Sequence, residues 1–431
     1  MHKAEPYATV GCVEDVGALS GTGAGGRVAF QYPNFRYYMT ARMLATIASE
    51  MQAVAVGWQI YGLTHRALDL GLVGLAQFLP GILLFLVAGQ TADRFPRQRI
   101  LQCCYVAFTC VSALLLALTL RGLTSVWPVY AALLLNGVVR AFNGPATQAF
   151  LPLVVPEEVF PNAVALASGV SQGAMIVGPM VGGLVYGLTG SPAPVYAGAM
   201  AACLSAMVLM GQVRVQAAQR PRGIARPGVL LDGLRYLWRA KMTLGAISLD
   251  MFAVLLGGAV ALMPVFAKDI LGVGATGLGI LRGAPGTGAV IMAMVLAHRP
   301  FKRHAGAIML WCVAGFGACT VVFGLSRNVG LSVAALVILG ACDMVSVVVR
   351  HTLVQISTPD EMRGRVSAVN MMFIGASNEV GQFESGVTAA WLGTVPAVVA
   401  GGVGTILIVV LWSRLFPELR SVNELQPTRQ A

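Results

Sequence analysis

Long apolar stretches, separated by short polar segments, follow one another along the chain from residue 37 to residue 413. Since a helix of about 20 apolar residues spans the hydrocarbon core of a bilayer, each stretch predicts a membrane-spanning helix. The apolar positions do not alternate with a period of two, so the pattern favours helices over a transmembrane β-barrel. Twelve spans are predicted, with ends placed to within about three residues, at 37–62, 70–91, 99–120, 126–149, 162–186, 194–213, 243–266, 276–297, 305–325, 330–350, 366–389 and 394–413.

The composition supports an all-α membrane protein. Of the 431 residues 57% are apolar and 11% are charged, and the mean hydropathy is +0.75. Soluble domains are about 45–50% apolar and about 25% charged, so a soluble fold of this length could not bury so much apolar surface. The 51 glycines are expected in a membrane bundle, where small residues let helix backbones approach closely.

Lys and Arg residues are distributed unequally between the two sides of the predicted spans. If both termini are cytoplasmic, 22 of the 29 lie in cytoplasmic tails and loops and 4 lie on the opposite side, while Arg42, Arg140 and Arg282 lie within spans. Cytoplasmic loops carry an excess of these residues, so cytoplasmic termini are predicted. The net charge of +11 therefore reflects orientation in the membrane. Because the charges form no single patch, nucleic-acid binding is not expected.

A basic segment broken by Pro and Gly divides the chain into two related halves. At an offset of 203 residues Pro156 matches Pro359 and Gly178 matches Gly381, which indicates two six-helix bundles of parallel topology around a central cavity. The predicted units are a disordered cytoplasmic tail at 1–36, a bundle at 37–213, a linker at 214–241, a bundle at 242–414 and a cytoplasmic tail at 415–431. A short interfacial helix is predicted in the linker, with an apolar face formed by Leu230, Leu234, Leu237 and Trp238.

The sequence gives no indication of a metal, a cofactor or an enzyme. The eight cysteines include no C-x-x-C pair, so neither a disulfide framework nor a metal site is predicted. H-E-x-x-H and P-loop patterns do not occur, which argues against a metalloprotease of that type and against a built-in nucleotide site. The first 36 residues lack the apolar stretch of a signal peptide, so no cleavage is expected.

Two segments carry patterns that suggest moving parts. The loop after the second span contains Gly89, Asp93, Arg94 and Arg97. An acid followed by several arginines can bind a neighbouring helix through charge-assisted hydrogen bonds, so these residues are predicted to form a conformational latch. A plain positively charged cytoplasmic loop is the alternative.

The second segment lies in the fifth span, which contains Gly178, Pro179, Gly182 and Gly183. A proline inside a helix frees a carbonyl and kinks the helix, and the glycines allow close packing. Glycine-mediated packing without any further role is the alternative.

These two segments resemble motifs of the major facilitator superfamily. The loop pattern G-x-x-x-D-R-x-x-R resembles the signature of that superfamily, with departures at Thr91, Pro96 and Gln98, and the copy in the second half has His298 in place of the acid. The fifth-span element resembles the motif of exporters that work as antiporters. Residues 33–62, 70–94 and 358–370 resemble the efflux branch that contains enterobactin exporters and macrolide or multidrug pumps. The resemblance implies twelve spans in two pseudo-symmetric bundles, in the inner membrane of a bacterium.

Ionisable residues inside the spans are candidates for proton coupling, because burying them costs about 2.5–3.5 kcal/mol on insertion scales. A carboxylate that has lost hydration is able to bind and release a proton during a transport cycle. Glu50 or Glu384 is the predicted proton carrier, Asp343 is third, and Arg140 acts on the carrier electrostatically, as the resemblance also implies. Any of them could instead belong to a static ion pair. The ionisable residues within the spans include Glu50, Arg140, Asp250, Asp343, Glu379 and Glu384.

Polar residues near these positions are predicted to line the central cavity. Asn136, Arg140, Asn143 and Thr147 lie on one face of the fourth span. Asn370 shares a face of the eleventh span with Glu384, and Gln52 lies near Glu50 in the first. Trp58 is a candidate for contact with an apolar solute.

A proton-coupled exporter of a small organic solute, either siderophore-like or lipophilic and drug-like, is the leading hypothesis. It would work by alternating access of the two halves, as a monomer, with the solute, protons and the lipid bilayer as its partners. The alternatives are an importer or uniporter, against which the glycine–proline element argues, and a non-transporting membrane sensor, for which a long regulatory domain would be expected.

Overall fold

The computed structural model describes residues 25–214, 229–299 and 304–420, and these residues form an almost entirely helical protein. The fold class predicted from the sequence, an all-α membrane protein, is confirmed. The N-terminal half contains α1 Pro33–Thr64, α2 Ala67–Arg94, α3 Arg97–Leu120, α4 Trp127–Phe150, α5 Phe160–Thr189 and α6 Ala193–Gln212. The linker helix and the C-terminal half comprise α7 Val229–Arg239, α8 Lys241–Leu256, α9 Met263–Val265, α10 Gly274–His298, α11 Ala305–Leu325, α12 Val329–Ser357, α13 Asp360–Leu392, α14 Thr394–Leu415 and α15 Pro417–Arg420.

Nine segments among the described residues are long and apolar enough to cross a membrane. Three further helices of comparable length, α1, α4 and α13, do not reach that apolarity because they carry more polar positions. The prediction of twelve spans therefore stays a prediction, although the helices themselves are present. The same three helices bear Glu50, Arg140 and Glu379.

The N-terminal boundary differs from the predicted one. Residues 25–36 were expected to be disordered, but Gly25–Gln31 form a 3₁₀ turn and α1 begins at Pro33. The backbone N–H of Ala29 donates to Oδ1 of Asn162 on α5, and Ala29 is buried. A proline in the first helical turn loses no hydrogen bond, which explains the start of α1. Residues 1–24 lie outside the described part of the chain.

The seventh span is discontinuous, whereas the sequence predicted one helix over 243–266. After α8 the chain breaks at Gly257 and Gly258, forms a 3₁₀ turn over Ala259–Leu262, and ends in a π-helical turn over Phe266–Ile270. The break coincides with close packing, since a Cβ on Gly258 would lie 2.6 Å from Oγ of Ser385 on α13.

The two halves meet backbone to backbone at one end of the bundle, which we call the distal end because residues 25 and 420 lie at the opposite, terminal end. A Cβ on Gly183 of α5 would lie 2.7 Å from Cα of Gly279 on α10, and one on Gly386 of α13 would lie 2.6 Å from Cα of Gly71 on α2. Such approach is open only to glycine.

Toward the terminal end, three glycines of these helices have no such close neighbour among the described residues. For Gly89 of α2, Gly173 of α5 and Gly375 of α13, no described atom lies within 4 Å of the position of a Cβ. Long side chains make the contact there, as when Nε2 of Gln148 approaches Sδ of Met371 at 3.3 Å. The halves thus touch backbone to backbone at the distal end and through long side chains toward the end that bears the termini.

The linker helix α7 packs on the C-terminal half. Leu237 is fully buried in a cluster with Ile247 and Val366, and Oη of Tyr236 donates to the carbonyl of Ser357 at 3.0 Å. Trp238 is 68% exposed, so it does not share the buried face with Leu237 as predicted. The side chain of Leu230 lies outside the described residues.

Candidate functional site

Four charged side chains converge where the two halves meet. Glu50 on α1 and Arg140 on α4 come from the N-terminal half, and Arg282 on α10 and Glu379 on α13 come from the C-terminal half. Glu50 lies within electrostatic range of the other three, and Arg282 lies within range of Glu50 and Glu379. Each half therefore supplies one acid and one base to what we call the charge quartet.

The ion pair between Arg140 and Glu379 crosses between the halves. Nη1 of Arg140 lies 3.2 Å from Oε1 of Glu379, with side-chain exposures of 47% and 15%. Because Arg140 is half exposed, solvent screens this pair, and its strength depends on how much water enters the opening. A solute or a proton that reached the site would act on it directly.

Amide side chains hold both members of this ion pair. Oε1 of Gln77 on α2 accepts hydrogen bonds from Nη1 of Arg140 at 3.0 Å and from Nδ2 of Asn136 at 3.3 Å. On the other side Nε2 of Gln382 donates to Oε2 of Glu379 at 3.3 Å. Part of the predicted polar face of α4, Asn136 and Arg140, thus joins the site through Gln77.

The glycines of the fifth-span motif position the site. A Cβ on Gly178 would lie 2.5 Å from Cβ of Glu50, and one on Gly182 would lie 2.7 Å from Cα of Met51, so both glycines seat α5 on α1. Gly183 seats α5 on α10 of the other half. Pro179 between them cannot donate to the preceding turn, which leaves the helix free to bend where it touches both halves.

Replacing Gly183 with leucine is expected to abolish transport while membrane insertion is retained. The new side chain would collide with Cα of Gly279 and the carbonyl of Ala275, 2.6 Å from the Cβ position, and it would hold the distal end apart. Gly173→Leu is the matched control, because it lies on the same helix and no described atom is within 4 Å of its Cβ position. Transport and the amount of inserted protein would be measured for both. Equal losses in the two variants would contradict this role of Gly183.

The predicted latch residues contact their own half. Nη1 of Arg97 donates to the carbonyl of Ala149 at the end of α4 at 2.9 Å, where the helix dipole favours a cation. Arg94 is exposed, and Gly89 has no described neighbour against its Cβ position. The side chain of Asp93 lies outside the described residues. The latch therefore stays a prediction.

Three other acids that were proton-coupling candidates lie apart from the charge quartet. Asp250 on α8 forms a buried ion pair with Arg350 on α12, with side-chain exposures of 7% and 3%. Asp343 borders a small cavity inside the C-terminal half, and Glu384 accepts a hydrogen bond from Thr388 on its own helix at 2.7 Å. Arg350 lies inside α12, which continues to Ser357.

Two of the predicted cavity residues are instead packed inside the protein. Oε1 of Gln52 is buried and accepts a hydrogen bond from Oγ of Ser112 at 2.8 Å, which joins α1 to α3 within one half. Trp58 lies at the closed distal end, edge to face with Tyr186 at 6.3 Å.

Two further cavity candidates retain unused hydrogen-bonding capacity. Oδ1 of Asn143 and Oδ1 of Asn370 are buried and accept no hydrogen bond from any residue in the described part of the chain. They remain candidates for binding a polar group.

Arg282 and Gln77 were not selected from the sequence, and Glu379 was named but ranked behind Glu384. The signal that would have found them is their spacing from glycines. Glu379 shares a helix row with Gly386 seven residues on, and Arg282 follows Gly279 by three residues, and both of these glycines touch the other half. A charge on the same face as an interface glycine lies at the interface.

Comparisons with known proteins agree with this architecture. The sequence model of a family described as "Transmembrane secretion effector" matches residues 25–430. A curated relative, the enterobactin exporter EntS of Shigella boydii serotype 4 (strain Sb227), is 27% identical over 406 residues, which is 92% of this chain and 95% of the relative. The EntS of Escherichia coli (strain SMS-3-5 / SECEC) is 27% identical over 410 residues, which is 93% of this chain and 96% of the relative.

Solved transporter structures share the fold. A point mutant of the nucleoside transporter NupG has a TM-score of 0.71 at 11% identity and covers 89% of this chain and 100% of its own. A bacterial homologue of the human lysosomal transporter Spinster, inward-facing and unoccupied, has a TM-score of 0.70 at 13% identity and covers 93% of this chain and 99% of its own.

Proposed function

Since the chain belongs to the transmembrane secretion effector family, within the major facilitator superfamily, we propose that this membrane transporter exports a small organic solute in exchange for protons. The charge quartet carries the proposal. It places two acids and two bases, in equal numbers from each half, at the contact that must change when the halves move.

Protonation of an acid in the charge quartet would alter the contact between the halves. With both acids charged the four side chains are neutral in sum, and Glu379 is held by Arg140 at 3.2 Å. Adding one proton leaves an excess positive charge among half-buried groups, which favours separating Arg140 from Arg282. Proton binding and the movement of the halves are coupled in this way. The proposed proton carrier is Glu50, which is half-buried between Gly178 and both arginines.

The looser packing at the terminal end is consistent with entry of the solute from that end, and export is the direction proposed. We infer that the bundle opens where residues 25 and 420 lie, and the distribution of Lys and Arg favours a cytoplasmic location for both termini. A solute would then enter from the cytoplasm and leave at the distal side. The fifth-span glycines and proline, which resemble the motif of antiporting exporters, support the same direction.

The relatives support a siderophore as the solute class, because they are named enterobactin exporters. A lipophilic drug-like compound is the other class that the resemblance to multidrug pumps suggests. The site would accept polar groups through Arg140 and through Asn143 and Asn370, whose buried Oδ1 atoms accept no hydrogen bond from the described residues. We place the protein in the inner membrane of a bacterium, where it works as a monomer.

Everted and right-side-out vesicles that contain the protein would test the proposal. With an acidic interior, everted vesicles are expected to accumulate a catecholate siderophore or a lipophilic dye, and an uncoupler should remove the accumulation. Vesicles that lack the protein are the control. Equilibration without accumulation would indicate a uniporter, accumulation only in right-side-out vesicles would indicate an importer, and no movement of either solute would leave the sensor alternative.

A further inference from the structure

We propose that Trp58 and Tyr61 of α1, together with Lys268 and Asp269 of the π-helical turn, form an outer lock that controls opening at the distal end. Their role would be conformational, since they lie far from the charge quartet and at the opposite end from the opening. The inference requires the two halves to move, as the proposed function does, but it does not require protons to drive that movement.

A hydrogen bond and a cation–π pair join the two halves at this place. Oη of Tyr61 donates to Oδ2 of Asp269. Nζ of Lys268 lies 6.0 Å from the ring centroid of Trp58 and 5.8 Å from that of Tyr61, within the range in which a cation is attracted to an aromatic face. One short segment of the C-terminal half thus uses two adjacent side chains to hold two aromatic side chains of the N-terminal half.

The backbone beneath the outer lock is unusual. The N–H of Leu271 donates to the carbonyl of Phe266 at 2.8 Å, and that of Val273 donates to Ala267 at 2.9 Å, so the turn is wider than an α-helix. π-Helical turns are rare and occur frequently at functional sites. Here the wide turn ends the seventh span and presents both Lys268 and Asp269 to α1.

The neighbouring residues of α1 pack closely against the same segment of the C-terminal half. A Cβ on Gly57 would lie 3.3 Å from Cγ of Pro264, and one on Gly62 would lie 3.7 Å from Nζ of Lys268. Tyr61 is buried while Asp269 is exposed, so opening the end would hydrate Asp269 further and would expose the Tyr61 ring. Every contact of the outer lock stabilises the closed distal end relative to the open one.

Double electron–electron resonance would measure that equilibrium directly. Spin labels at Arg121→Cys and Arg327→Cys, on exposed distal positions of different halves, would report the separation in full-length protein whose native cysteines are replaced by serine and whose transport has been verified. Losing a hydrogen bond to a charged group should raise the open-to-closed ratio roughly tenfold or more in Tyr61→Phe. Lys268→Met should raise the open-to-closed ratio about two- to fivefold. Asp269→Glu keeps the carboxylate and should leave the ratio near that of the unmodified protein.

Tyr130→Phe is the matched control. Oη of Tyr130 donates to Oδ1 of Asp69 at 3.2 Å, which is also a tyrosine–aspartate hydrogen bond at the distal end, but one that lies within a single half. Its distance distribution should equal that of the unmodified protein. If Tyr61→Phe and Asp269→Asn also leave the distribution unchanged, while added solute or a change of pH shifts it, the outer lock is wrong and alternating access stands. If no variant and no condition yields a second distance, both proposals fail.

Discussion

Replacing Glu50 with glutamine is expected to reduce proton-driven accumulation in everted vesicles to the level of vesicles without the protein, while the protein still folds and inserts. Glutamine keeps the shape that packs against Gly178 but cannot bind and release a proton. Glu50 lies within range of Arg282, Arg140 and Glu379, so the variant also fixes the charge of the quartet in one state. Exchange of labelled solute across the membrane without a proton gradient should continue, because that exchange needs no net proton movement.

Glu384→Gln is the matched control for this prediction. Glu384 lies on the same helix as Glu379, but it accepts its hydrogen bond from Thr388 one turn away and is not among the charges that act on Glu50. Proton-driven accumulation should survive in this variant. If Glu50→Gln couples normally and Glu384→Gln does not, Glu384 is the carrier; if both couple normally, the proton is carried by another acid, of which Glu379 is the first to examine.

Replacing Asp250 with asparagine is expected to destabilise the folded protein by about 3–5 kcal/mol, because it leaves a buried cation without its partner. Arg350 and Asp250 are 3% and 7% exposed, so water cannot compensate Arg350 from outside. The loss should appear as a lower melting temperature of purified protein and as less inserted protein in the membrane.

A double variant distinguishes the effect of the two charges on stability from the effect of the packing around them. Asp250→Leu combined with Arg350→Met removes both charges and keeps apolar volume, so it should recover most of the stability lost in the single variant. Asp343→Asn, an acid of the same half for which no ion pair occurs among the described residues, should change stability little. A double variant as unstable as Asp250→Asn alone would show that the packing at this place, and not the charge, is responsible.

The sequence was sufficient for the helical fold class, because hydropathy depends on local composition. It predicted that Glu50 and Arg140 lie within long helices for the same reason, since a charge in an apolar stretch can be recognised from the sequence alone. The three long helices that do not reach the apolarity of a membrane span, α1, α4 and α13, are also those that carry the Arg140–Glu379 pair and Glu50. Among the charged residues that lower the hydropathy of these helices are members of the charge quartet.

Pairing between helices could not be read from the sequence. Asp250 and Asp343 looked equivalent to Glu50, yet one is neutralised by Arg350 and the other borders a cavity inside its own half. Which acid meets which base depends on helix rotation, and a rotation of one residue changes the neighbour. The break at Gly257 was missed because two glycines are equally compatible with close packing in a straight helix.

The break in the seventh span divides it into two pieces, α8 and the segment from Ala259 to Ile270. Its first piece is fixed in the C-terminal half by Arg350 and by the hydrogen bond from Nε1 of Trp412 to Oγ of Ser248 at 3.0 Å. Its second piece carries Lys268 and Asp269 against α1. A continuous helix would transmit a displacement of α1 to the buried ion pair. The joint, which is the break in the helix at Gly257 and Gly258, allows the second piece to move without the first. The piece beyond the joint would then be able to separate from α1 without disturbing the buried ion pair.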